Sequence, residues 1–155
     1  MIGFNQMDLQ SAAPDLELET LSRRYAAAID HRDIAGLLSV FAADATMRVE
    51  QPGHKVGHLS GHRELEHIIK VVNRFSRTAH VLGQGLFQVD GDRAEGEIYC
   101  TAHHFSSSAS GSGHDLVMHI RYIDRYAIGQ DLSWRIVHRT VRVDAIEERR
   151  VQGDW

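Results

Sequence analysis

A change of period near residue 77 constrains this chain more than any other feature of its sequence. Before that point apolar residues recur every three or four positions. After it, four long runs alternate apolar with polar residues and are separated by turn signals. Helices followed by strands predict an α+β fold rather than an alternating βαβ one. Leu18, Leu21, Tyr25 and Ile29 form one helical stripe, with Asp15 or Thr20 as a cap and an end near Asp30-His31-Arg32. Asp33 is a good N-cap for a short second helix through Leu37, Leu38 and Phe41. Residues 44–50 predict a short strand, and Gln51-Pro52-Gly53 a turn. Ser60 precedes a third helix whose buried face is Leu65, Ile68, Ile69 and Val72. Strands are expected over 78–89, 93–105, 115–128 and 133–146, joined by tight turns at Gly91 and Gly129–Asp131 and by a Ser/Gly loop at 106–113. Hairpin connections make an antiparallel meander. One face of such a twisted sheet needs covering by the helices, and the hollow between them is a default place for a small ligand.

Composition narrows the partners. The 155 residues suit one domain, and 43% hydrophobic with 25% charged is an ordinary globular balance. A net charge of −4 without a long basic run counts against nucleic acid and acidic membrane surfaces. The chain lacks a run of about 18 apolar residues that would span a membrane. Residues 1–14 have neither a basic nor an apolar signal-peptide region and read as a flexible leader; 15–146 form the domain and 147–155 a charged tail. The tail ends in Trp155, which is expected to pack on a neighbouring chain or over a pocket mouth. The single cysteine, Cys100, forms no intrachain disulfide, which fits a reducing, cytoplasmic setting. Eleven histidines ask for an explanation. His54, His58 and His62 are four apart and His67 follows, but Pro52, Gly53, Gly57 and Gly61 argue against the helix that would stack them. Neither a metal nor a cofactor is expected. His114 and His119 flank the flexible loop and read as solvated or packing residues.

The order of elements is familiar in YAAAIDHRDIAGLLSVFAADA (25–45), the Gly/His-rich segment 57–63, RTAHVLG (77–83), VDGDRAEGEIYCTAHHF (89–105), RYIDRYA (121–127) and SWRIVHRTV (133–141). Over about residues 18–146 the chain resembles the SnoaL-like branch of the NTF2-like superfamily. The resemblance implies a cystatin-like cone in which three N-terminal helices pack in a strongly curved antiparallel sheet. Within the superfamily it is nearest to scytalone dehydratase, the bile-acid 7α-dehydratase and hexachlorocyclohexane dehydrochlorinase. The resemblance carries their helix-end aspartate onto Asp30, their strand histidine onto His80, a tyrosine before the aspartate onto Tyr25, and a last-strand arginine onto Arg139. A polar residue of the second long strand falls on His103 or His104. The second tyrosine of the scytalone enzyme has no clear counterpart.

Each residue also has a physical reading. Asp30 lies where the helix dipole disfavours a carboxylate, so it is either a turn residue or a pocket group paired to His80. His80, among apolar strand neighbours, suits a general base near neutral pH or a core histidine bonded to backbone. Tyr25 lies on the apolar stripe, and its hydroxyl needs a partner if buried. Strict alternation puts His104 inward with Ile98, Cys100 and Ala102, unless a bulge reverses the parity. Arg139 shares parity with Val137 and Val141, opposite Trp134, Ile136 and His138. It either pairs with a carboxylate such as Asp124 or Asp30 or reaches a ligand oxyanion. With these residues in the site, the resemblance implies a cofactor-independent lyase or isomerase of dehydratase type acting on a small apolar or polycyclic carbonyl compound. The alternatives are a non-catalytic small-molecule binder and an accessory or assembly subunit. The resemblance further implies a homo-oligomer, a trimer or dimer through the outer sheet face.

Overall fold

The helical stripe meets one face of a six-stranded sheet. The computed structural model describes residues 6–107 and 112–153, and side chains from residue 14 onward. The elements in chain order are α1 (Gln6–His31), α2 (Ile34–Ser39), β1 (Phe41–Glu50), β2 (Gly57–Ser60), α3 (Gly61–Leu65), α4 (His67–Val72), β3 (Arg77–Asp90), β4 (Arg93–Ser107), β5 (Gly113–Ile128) and β6 (Trp134–Val151). The sheet order is β2-β1-β6-β5-β4-β3. The four long strands form the expected meander, and the class is α+β. Leu18, Leu21, Tyr25 and Ile29 of α1 pack with Ile98, Ile120, Tyr122 and Ile136 of the sheet in one core.

Several expectations are corrected. β1 runs parallel to β6, so the sheet is mixed rather than wholly antiparallel. β2 is a strand that the Gly/His-rich segment did not announce; it pairs with β1 over Thr46–Val49. The predicted third helix is two short ones broken at Glu66. Ser60 makes no side-chain cap; instead the Glu64 carboxylate accepts from the Ser60 N–H at 2.7 Å. Phe41 opens β1 rather than closing α2, and is buried there. Asp33 does cap α2, accepting from the Gly36 N–H at 2.9 Å. Thr20 caps nothing: it lies inside α1 and its hydroxyl donates to the Leu16 carbonyl at 2.7 Å. α1 takes in residues 6–14, which read as a leader, where Gln, Met, Leu and Ala are good helix formers. β6 continues past 146 to Val151, paired with the start of β5, so much of the expected tail is strand. Residues 108–111 of the Ser/Gly loop and Trp155 lie outside the described residues.

Two bulges set the facing of β6. Between the Arg125–His138 and Tyr126–Ile136 pairs, Val137 is an extra residue, and Asp144 is another between the Ile120–Val143 and His119–Ala145 pairs. The first reverses the parity, so Trp134, Ile136, Arg139 and Val143 all turn inward. Strict alternation had put Arg139 opposite Trp134 and Ile136. On β4 the alternation is regular, and Ile98, Cys100, Ala102 and His104 are buried.

Candidate functional site

α1 ends on β3, and that junction builds the site. Arg32 closes the helix in the left-handed region at φ 60, a conformation that more often calls for glycine or asparagine. Its guanidinium donates to the carbonyls of Ile29 (2.7 Å) and Val72 (3.1 Å) and to the Thr78 hydroxyl (2.6 Å), joining α1, the end of α4 and β3. Thr78 in turn donates its hydroxyl hydrogen bond to Asp30 Oδ1 at 2.9 Å. His80 approaches the same carboxylate twice, its Nδ1 2.7 Å from Oδ1 and its backbone N–H 2.9 Å from Oδ2. Burial works against ionisation of Asp30. The hydrogen bonds from the His80 ring and backbone, the His80 charge and the Thr78 hydroxyl outweigh it, and the carboxyl is held below its ordinary range. These donors compensate a carboxylate that the helix dipole alone would reject.

An ionised carboxylate only accepts, so His80 Nδ1 carries a proton, and in the neutral imidazole Nε2 keeps the lone pair. His104 is fixed the same way. Its Nδ1 lies 3.1 Å from the Leu116 carbonyl and must donate to it, leaving Nε2 as the acceptor. Among the described residues nothing hydrogen-bonds Nε2 of either ring. The two rings are 5.9 Å apart, edge to face, and both line a cavity of about 250 Å³ between α1, α4 and the sheet. Its walls are mostly aliphatic, with Met47, Met118, Phe75, Tyr25 and Tyr122. The His80 side chain is 5% exposed. Asp30, at 24%, stands behind His80 and does not itself line the cavity, where the sequence had it pointing in. Burial pushes the His104 imidazole below its usual value, aided by the His80 charge and opposed by the Leu116 carbonyl. Burial likewise drives the Tyr25 phenol up to about 12, against the Arg139 charge, so it stays protonated as a donor.

The sequence profile of the SnoaL-like domain matches residues 10–140. The chain belongs to the SnoaL-like domain family. Solved structures agree on the fold. A variant of the Rv3472 protein of Mycobacterium tuberculosis, of unknown function, is 27% identical with a TM-score of 0.72, over 90% of this chain and 76% of that one. A Nostoc punctiforme protein of unknown function with a cystatin-like fold is 20% identical, TM-score 0.67, over 84% and 90%. The type 3 hexachlorocyclohexane dehydrochlorinase of Novosphingobium barchaimii is 18% identical, TM-score 0.74, over 92% and 94%. No protein of curated function matches the sequence.

Within this SnoaL-like domain the five sequence candidates divide. Asp30, His80, His104 and Tyr25 gather at or behind the cavity wall. Arg139 does not line it. The guanidinium is fully buried and forks onto Asp124, with Nε to Oδ1 at 2.8 Å and Nη2 to Oδ2 at 2.6 Å. Ser22 accepts a further bond at 3.1 Å, and Tyr126 donates to Asp124 at 2.8 Å. The rings of Tyr25 and Tyr122 sandwich it at 4.2 and 4.3 Å. The reading of Arg139 as an oxyanion ligand is therefore corrected: Asp124 neutralises it beneath the cavity, and it reaches the site only through the Tyr25 and Tyr122 rings. His103 faces the other side of the sheet and pairs with Asp115 at 2.7 Å. His54, His58, His62 and His67 fall in a turn, a strand and two short helices, so their spacing stacks nothing. Sequence reasoning missed Arg32 and the role of Thr78. It also missed His67 and Arg74 at the cavity mouth. The only available signal was a cation directly after a helix end, which is common.

Proposed function

We propose that this domain is a cofactor-independent lyase or isomerase of dehydratase type. It works by acid–base chemistry on a small, apolar, carbonyl-bearing molecule. The observation that carries this reading is the 2.7 Å contact between Asp30 and the Nδ1 of a cavity-lining His80. His80 Nε2 takes a proton from a carbon α or vinylogous to the carbonyl. Asp30 holds the tautomer and balances the imidazolium that forms. Tyr25, kept protonated by burial, donates to the carbonyl oxygen as charge develops there. His104 Nε2, an acceptor while neutral, holds a substrate hydroxyl; the proton taken by His80 Nε2 is then delivered to that hydroxyl, which leaves as water and restores the neutral His80 imidazole. The mostly aliphatic walls exclude solvent from these steps. The volume of about 250 Å³ lies just below the usual range for drug-sized ligands, in keeping with a small substrate.

Proton abstraction can be tested without the natural substrate. The protein should accelerate exchange of the α-protons of 2-tetralone in heavy water, followed by NMR. His80→Ala should lose about 10²–10⁴-fold of that acceleration, and Asp30→Asn a comparable part. Exchange undiminished in His80→Ala would sink the proposal. Binding of the ketone without any acceleration would leave a carrier in place of an enzyme.

A further inference from the structure

Charge is unevenly placed around the cavity. Its lining has no carboxylate. The two inner imidazoles sit deep, and the remaining polar side chains at the wall include Gln51, His67 and Arg74. His67, Val71 and Arg74 are spaced by four and three residues along α4 and the turn after it, so they share one side. All three are exposed and line the same cavity, which marks this side as its mouth. Arg74 lies 5.0 Å over the ring of Phe75, itself a wall residue, so the cation is held at the rim. Among the described residues no carboxylate pairs with Arg74, whereas Arg48, Arg121, Arg135 and Arg142 all have one. The Arg74 charge is felt inside, where it is one of the influences holding His104 neutral.

We infer that Arg74 receives an anionic group of the substrate, and that the molecules this cavity takes are acids: an apolar ring body inside, with a carboxylate or sulfonate directed out through the mouth. An ionised group cannot enter such a cavity without losing its hydration, and the Asp30 charge behind His80 opposes it at the deep end. At the rim it keeps water and gains a planar, bidentate donor. This orients the molecule, placing the carbon skeleton rather than the acid against His80. The inference rests on the cavity being the substrate site.

The test compares two probes with the same ring system in the full-length protein: 8-anilinonaphthalene-1-sulfonate and uncharged N-phenyl-1-naphthylamine. Fluorescence titration should show each displacing the other and the sulfonate binding more tightly. Arg74→Gln should weaken the sulfonate about fivefold, in line with an exposed charge pair, and leave the neutral probe unchanged. Arg63→Gln, at an exposed cation outside the cavity, should alter neither. Sodium sulfate should compete no better than sodium chloride of equal ionic strength. The inference is overturned if Arg74→Gln changes both probes equally or neither, if Arg63→Gln matches its effect, or if sulfate displaces the probe selectively, which would mark a site for free anions. Failure of the neutral probe to bind at all would overturn the ligand cavity itself, and this inference with it.

Discussion

Asp30 owes its ionised form to three donors, and that debt is visible in how stability changes with pH. Its carboxyl is held below the ordinary range in the folded protein. As pH falls, the unfolded chain therefore takes up this proton first, near pH ~4. The Asp30 contribution is complete above that value and fades as pH drops through the lower folded one. The stability gap between wild type and Asp30→Asn, from urea melts, should be constant between about pH 7 and 5 and shrink below about 4. A gap that stayed constant into strong acid would contradict the hydrogen-bond pattern. The resemblance put Asp30 and His80 in the site; a carboxylate at a helix C-terminus and an imidazole among strand apolars left a turn residue and a core histidine equally open. Arg32 and Thr78, which hold them together, were not legible in the sequence. A left-handed arginine has no sequence signal, since glycine or asparagine is the residue that announces that conformation.

The strands were easier to read than their facing. Alternation on β4 is unbroken, so the inward choice of His104 over His103 followed from parity alone. On β6 the extra residue at Val137 reverses that parity, and nothing in WRIVHRTV marks it. The consequence is the buried Arg139–Asp124 pair, which strict alternation would have set on the wrong side from Ile136. Removing one member of such a pair strands the other without a partner. Arg139→Met should cost about 3–5 kcal/mol in chemical denaturation, and adding Asp124→Leu should recover part of it. A single-mutant loss under about 1 kcal/mol would mean the pair is dispensable. The parallel contact of β1 with β6 was illegible for a different reason: it joins segments about ninety residues apart, beyond the reach of any local pattern.

At the scale of the whole molecule, helices first and meander second was enough to predict the α+β class, because period is a property of long stretches. Assembly is not encoded so plainly. The face of the sheet away from α1 leaves Tyr99 and Val81 at 40% and 58% exposure, near the outward His103–Asp115 pair. We propose that a second or third copy covers this face. Light scattering after size exclusion should give two or three times 17.4 kDa, and Val81→Asp should lower it. A wild-type monomer would reject the proposal.

The proposed catalytic pair also spans a long stretch of chain, its members 50 residues apart, and it exists only while the end of α1 rests on β3. A molecule whose first helix lifted away could keep a well-formed sheet and its spectroscopic signature, yet lose the proposed chemistry at once. Deuterium exchange into a ketone would thus report the docking of one helix, and as temperature rises it should vanish ahead of the sheet's circular dichroism.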